Sequence, residues 1–430
     1  MGLPCALRPL SVVILLVGLA LGYGGPAARA ATIEVAPPDG LQAALLRAAP
    51  GDTLHLAPGV HRGRVIVETP RLTLEGEPGA VVDGGGAGRA IWVKAPDVTI
   101  RRLEVRGSGL SLFDMDAGIF LDKMADRSVV EDNVMEGNLI GVYIWGPRSA
   151  LVRHNRIIGR SDLRVSERGS GVQLWNTPGS QVIENDVSAG RDGIFTTTSR
   201  NNLFRGNTFR GVRFAVHYMY TNDSEVSDNL SVGNNAGYVI MFSDRLKIRG
   251  NVSDGDRDHS LLFNYANGSE ITGNVVRGSD KCVFIYNANK NVFRDNWFEG
   301  CRVGIHFTAG SARNEISGNA FINNQMQVMY VGTRMLDWAT SGRGNYWSDN
   351  PTFDLNGDGI ADTAYRPNNL MDEVIWRAPA AKLLMNSPAT RLLRWAQAEF
   401  PGLHPGGVID SAPLMAPLRP AALSRLAPAP

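Results

Sequence analysis

Gly206-Asn207-Thr208-Phe209 and Gly273-Asn274-Val275-Val276 are two settings of one phrase, and that phrase decides the fold. Its asparagine recurs at Asn133, Asn155, Asn185, Asn207, Asn229, Asn251, Asn274, Asn296 and Asn319. The steps are 22, 30, 22, 22, 22, 23, 22 and 23 residues. The preceding residue is always Gly, Asp, Glu or His. A period in the low twenties, with short β-rich runs and turns, is the signature of a solenoid. The leucine pattern of leucine-rich repeats, whose period is similar, is missing. The reading is an all-β chain: a single right-handed parallel β-helix of about 22 residues per coil, with a C-terminal helical and irregular extension. Stacked coils place each Asn above the last, where amides bond up and down the stack. These asparagines are therefore read as structural.

Aligning the coils on Asn sets a strand about ten residues downstream. It reads Val142-Tyr143-Ile144-Trp145, Val172-Gln173-Leu174-Trp175 and Val216-His217-Tyr218-Met219, with equivalents to Val328-Met329-Tyr330-Val331. Strand side chains alternate between faces. Val142, Val172, Ile194, Val216, Val283, Ile305 and Val328 are expected to point inward, as are Ile144, Leu174, Ile240, Leu262 and Ile285 two residues on. Parity then turns Trp145, Trp175, Phe195, Phe263, Tyr286, His306 and Met329 outward. An outward stripe this apolar marks a binding surface unless a loop covers it.

The 430 residues suffice for one long core or two ordinary ones. The start stands apart: Arg8, an apolar run from Leu10 to Leu21, then Ala28-Arg29-Ala30. Residues 1–30 read as a secretory signal peptide cleaved near Ala30, so the expected location is the periplasm. Removing Arg8 and Arg29 leaves 41 basic residues against 42 acidic, a net charge of −1. That balance offers no electrostatic case for nucleic acid. Cys282 and Cys301 remain, either as a disulfide or as two small buried hydrophobes.

Residues 31–130 read as an N-terminal cap, with a short helix over Gln42–Arg47, and irregular coils. Residues 131–335 are the regular Asn coils, and 336–430 the extension. The long step from Asn155 to Asn185 holds a polar surface loop at Ser161–Arg168. Asp354, Asn356, Asp358 and Asp362, with Gly359 allowing the turn, have the alternation of a short structural calcium loop. Pro388–Phe400 has the period of an amphipathic helix. The Pro-rich tail beyond it is expected to order only by docking.

A polysaccharide lyase or epimerase needs acid–base groups and a charge neutraliser on one groove. The outward columns hold few carboxylates and no neighbouring pair of acids flanked by Arg. Trp145 and Trp175 keep a sugar-binding reading open. The sharper constellation is soft. His217 and Met219 share a strand face about 7 Å apart, and Met241 follows Met219 in the next coil about 4.8 Å away. Thioether and imidazole suit Cu(I). His306 and Met329 form a second such pair.

The Asn coils, Gly344-Asn345-Tyr346-Trp347-Ser348-Asp349, the Asp354–Asp362 loop, Tyr365-Arg366-Pro367-Asn368 with Arg377-Ala378-Pro379-Ala380, and Gly406-Gly407-Val408-Ile409-Asp410-Ser411 together resemble the NosD family. The resemblance spans nearly all of the mature chain. It implies a non-enzymatic periplasmic maturation protein for nitrous oxide reductase, seated on an ABC transporter's membrane subunit. It further implies work with a copper chaperone on that enzyme's copper–sulfur centre. No catalytic residues are implied, and no copper ligands are carried across by a motif.

Overall fold

Each coil contributes one short strand to each of three parallel sheets, and the asparagine sits at the corner between the first two. In the computed structural model the first sheet has 13 strands, from Thr32–Val35 to Glu315–Ser317. The second also has 13, from Gly59–Arg62 to Tyr346–Trp347, and the third has 12, from Val65–Val67 to Met326–Val331. The structure describes Gly2 and residues 30–426, apart from 39, 309, 333, 369–371, 373, 375–377, 385–386 and 401–406. The signal peptide expected at 1–30 lies outside the described residues except for Gly2 and Ala30. Among the described residues no helix is long and apolar enough to cross a membrane.

The corner explains the repeat. Leu203–Arg205 ends a first-sheet strand, and Thr208–Arg210 begins a second-sheet strand two residues later. So tight a turn needs a left-handed residue, supplied by Gly206 (φ 68°). The same place is held by Asp132 (φ 56°), His154 (φ 54°) and Glu184 (φ 54°) in other coils. Such values are rare outside Gly, Asn and Asp, which explains the restricted set before each Asn.

The asparagine then closes the corner. Its backbone N–H and Nδ2 both donate to Oδ1 of the next Asn: from Asn207 to Asn229 these bonds are 3.0 and 2.9 Å. Nδ2 of Asn207 also donates to the Val182 carbonyl at 2.9 Å. Asn207 and Asn229 are fully buried, so the amides satisfy polar groups that water cannot reach.

The interior is a column of aliphatic and aromatic side chains. At its start the helix Gly40–Arg47 buries Leu41, Ala44 and Leu45, as expected of a cap. At the other end rings close the column: Phe321 and Trp347 stack at 4.4 Å, and Trp347 meets Tyr365 at 4.9 Å. Cys282 and Cys301 are joined as a disulfide between neighbouring coils, with Cα atoms 5.8 Å apart.

Two expectations need correction. Phe263 does not face outward; it pairs in register with Ile240 and Ile285 and is fully buried. The step from Asn251 to Asn274 has 23 residues, and its extra residue precedes this strand. Leu262 and Asn264 therefore take the outward places, so Leu262 is not an inward residue either. The tail does not wait for a partner to dock on. Val408–Ile409 pairs with Leu336–Asp337. Further on, Ala422, Leu423 and Leu426 pack on Val252, Val275, Trp297 and Ala320 of the second sheet. Arg425 ties this segment down by donating to the carbonyls of Asp228 (2.7 Å) and Gly250 (3.1 Å).

Candidate functional site

The third sheet's outer face carries the soft side chains, and its register brings them together as the alignment expects. Phe195, His217 and Val239 are successive partners, Met219 pairs with Met241, and His306 pairs with Met329. Tyr218 points inward and is fully buried. Trp145 and Trp175 stack at 5.6 Å with their planes 16° apart, and Trp175 is exposed.

The face is not open along its whole length. Phe120 and Tyr143 occupy outward places but are buried, because Met115 and Leu163 pack over them. Leu163 belongs to the insertion expected at Ser161–Arg168, which forms a loop with a single helical turn at Val165–Glu167. A covering loop thus removes part of the stripe; beyond it Trp175 is exposed, while His217 and Val239 are buried.

Sequence reasoning missed three rings beside the methionines, which form a row with the expected Tyr286. Tyr220, Phe242 and Tyr265 stack at 5.1 and 5.2 Å, and Tyr286 meets Tyr265 at 6.0 Å. All four rings are exposed, and the first three follow their strands in left-handed conformations (φ 49°, 48° and 51°). The signal was present: aromatic residues recur at positions 220, 242 and 265, the coil period itself.

His217 is the most constrained of the expected site residues. It is 8% exposed. Its Nδ1 lies 3.1 Å from the Asp192 carboxylate, and its Nε2 is buried with no hydrogen-bond partner. Asp192 also accepts two bonds from Arg213, at 2.9 and 2.7 Å. Burial pushes the Asp192 carboxyl up, but the bonds from His217 and Arg213 outweigh it and hold it below the usual carboxylate value. An ionised Asp192 accepts from Nδ1–H, the arrangement that orients a metal-ligating histidine to bind through Nε2. A buried polar atom without a partner calls for an unseen water or ion. Soft ligands beside it, in the Met219–Met241 pair, fit Cu(I) in kind.

His306 is similar in kind. Its Nδ1 is buried without a partner, and its ring packs at 5.0 Å on Phe284. Burial, followed by the charges of Lys281, His259 and Arg302, pushes its pKa down to about 4. The folded state therefore binds this proton less readily than the unfolded chain, whose histidine titrates near 6.5. The stability contributed by neutral His306 is complete above pH ~6.5 and is lost as pH falls towards 4. Urea midpoints measured from pH 7.5 to 4.5 should fall with pH in wild type and less steeply in His306→Gln. Parallel slopes would contradict this.

The coil architecture alone is shared with carbohydrate enzymes. The alginate lyase AlyF-OU02 aligns over 71% of this chain and 86% of its own, with a TM-score of 0.52 at 12% identity, a likeness of fold alone. Closer relatives decide the family. Over 375 residues the chain is 39% identical to the probable ABC transporter binding protein NosD of Stutzerimonas stutzeri, covering 84% of this chain and 86% of that protein. The chain belongs to the NosD family. The NosD family model, described as periplasmic copper-binding protein, matches residues 153–351. The NosD protein of Pseudomonas aeruginosa, also named a probable ABC transporter binding protein, is 39% identical over 399 residues, covering 90% and 92%. The family description makes NosD proteins periplasmic, and these relatives are named as binding proteins rather than enzymes. Residues 153–351 contain His217, Met219, Met241, His306 and Met329.

Other parts of this NosD chain have a different character. In the acidic loop, Asp354 accepts from the N–H groups of Gly357 (2.6 Å) and Gly359 (2.8 Å), and Asp362 from Leu355 (2.7 Å). Asp358 accepts from Asn356 Nδ2 at 2.9 Å. The oxygens are hard donors that suit calcium in kind, and they are already engaged as in an Asx turn. Among the described residues, the group of three His, Cys, Asp or Glu ligand atoms within 4.8 Å of one another is Glu34, His55 and Glu77, on the first sheet away from this face.

Proposed function

We propose that this chain is a non-enzymatic assembly protein that carries Cu(I) on the outer face of its third sheet. It works beside an ABC transporter in building the copper–sulfur centre of nitrous oxide reductase. The carrying observation is His217: one ring nitrogen pinned by Asp192, the other buried and unpartnered, one strand position pair from Met219 and its neighbour Met241. These three residues are the ligand set. Copper is cargo here, received from a copper chaperone and released towards the reductase. Two thioethers and one imidazole hold Cu(I) softly enough for such exchange. The exposed rows of Tyr220, Phe242 and Tyr265 beside the methionines supply apolar area for a transient partner. The helix Pro388–Glu399, whose Leu392, Leu393 and Trp395 are exposed, is the proposed contact with the transporter's membrane subunit.

The test is in cells. A chain carrying both His217→Ala and Met219→Ala should be secreted and folded normally, yet leave nitrous oxide reductase without its copper–sulfur centre. A reductase with full copper content and activity in that strain would overturn the ligand set.

A further inference from the structure

We infer that a cavity beside His217 binds a compact oxyanion, through Arg191 and Arg168. This goes beyond the copper reading and does not rest on it. The cavity measures about 280 Å³, and its wall includes Arg168, Arg191, Arg213, Asp192, Gln173 and His217. Three arginines and one carboxylate therefore line one cavity. Arg213 spends its charge on Asp192 in a two-bond pair. Arg191 has no side-chain hydrogen bond or ion pair among the described residues. Arg168 is held by neutral groups only, donating from Nε to the Leu163 carbonyl at 2.8 Å and from Nη2 to the Ser161 carbonyl at 2.9 Å. Those two bonds lock its plane and leave Nη1 uncommitted. The cavity thus holds Arg191 with no acid bonded to it among the described residues, and Arg168, whose hydrogen bonds go to carbonyls and which Asp162 reaches through charge alone.

His217 lines the same cavity, with its Nδ1 turned to Asp192. Charge and polar groups in a concavity, unmatched within the protein, are matched by a ligand. The planar fork of arginine selects an anion with two or more oxygens in reach. The volume admits a tetrahedral oxyanion or a single carboxylated sugar.

Chain length points the same way. The step from Asn155 to Asn185 is the one that departs from the period by eight residues, 30 against 22. The extra residues are those that place Arg168 on the cavity wall, by way of the turn Val165–Glu167 and the anchoring of Leu163 over Tyr143. The insertion thereby sets a second arginine on the cavity wall beside Arg191.

The test is calorimetric titration of the purified, copper-free mature chain in chloride-free buffer with inorganic phosphate, sulfate and galacturonate in separate runs. Saturable one-to-one binding is expected for phosphate or sulfate, weakened at least about tenfold in Arg191→Gln and again in Arg168→Gln. Thermal midpoints without ligand should not fall in Arg191→Gln, which has no side-chain bond to lose; in Arg168→Gln, which loses the bonds to Leu163 and Ser161, binding is compared at a temperature where the fold persists. Binding of galacturonate alone, with the same loss in both variants, would keep the arginine clamp and assign the anion to a sugar acid. No saturable binding of any of the three, or equal binding by Arg191→Gln, would overturn the inference. Because copper is absent throughout, that failure would leave the copper reading untouched.

Discussion

Replacing Asp410 by Ala should cost at least about 3 kcal/mol of folding stability, because it strands several buried donors at once. The Asn ladder does not end at Asn319. It continues to Asn345, whose backbone N–H and Nδ2 donate to Asp410 at 2.7 and 3.3 Å. The indole Nε1 of Trp347 donates to the same oxygen at 2.8 Å. Asp410 is fully buried, and burial raises its pKa despite the pull of these bonds. It is the stop of the ladder and the clip that brings residues 408–426 back onto the solenoid. The fit is close: a Cβ at Gly344 would overlap the Asp410 carboxylate. Asp410→Asn keeps one acceptor oxygen and should lose less. Urea unfolding followed by tryptophan fluorescence reads both variants. An Ala variant with the wild-type midpoint would show that the ladder needs no terminal acceptor.

Asp192→Asn should lower Cu(I) affinity by about ten- to a hundredfold, the usual effect of removing the carboxylate that orients a metal-bound histidine. The carboxylate fixes the Nδ1 proton and adds electron density to the ring; an amide does neither. Arg213 also loses its charged partner, so the variant should be somewhat less stable. Circular dichroism separates the two effects: the β-sheet signal should persist at temperatures where copper binding is measured. Unchanged affinity in a folded Asp192→Asn chain would remove His217 from the ligand set.

Most of the solenoid was legible because its two devices are local. The Asn period gives the corner, and strand alternation gives inside and outside. Parity carried His217, Met219, Met241, His306 and Met329 to the correct face. It failed at Phe263, where one extra residue before the strand shifts its register and flips the side chains of that strand. The residues that shape His217 were not legible. Asp192 lies 25 positions earlier and looks like a turn acid, and Arg168 comes from an insertion that breaks the period. Their roles depend on coils stacked in space. Asp410 was hidden in the same way: it meets Asn345 across 65 residues, and no periodicity links them. The tail looked disordered because Pro and Ala dominate it, yet a few apolar contacts and Arg425 suffice to seat it on the second sheet.

The central claim is that Cu(I) binds on the outer face of the third sheet through His217, Met219 and Met241. Its most direct test is anaerobic Cu(I) titration of the purified mature chain against a competing chelator, with wild type beside the chain carrying Met219→Ala and Met241→Ala. One tightly bound Cu(I) per chain in wild type, lost in the variant, is the predicted result. Wild-type affinity in the variant, or no binding by either chain, would contradict it.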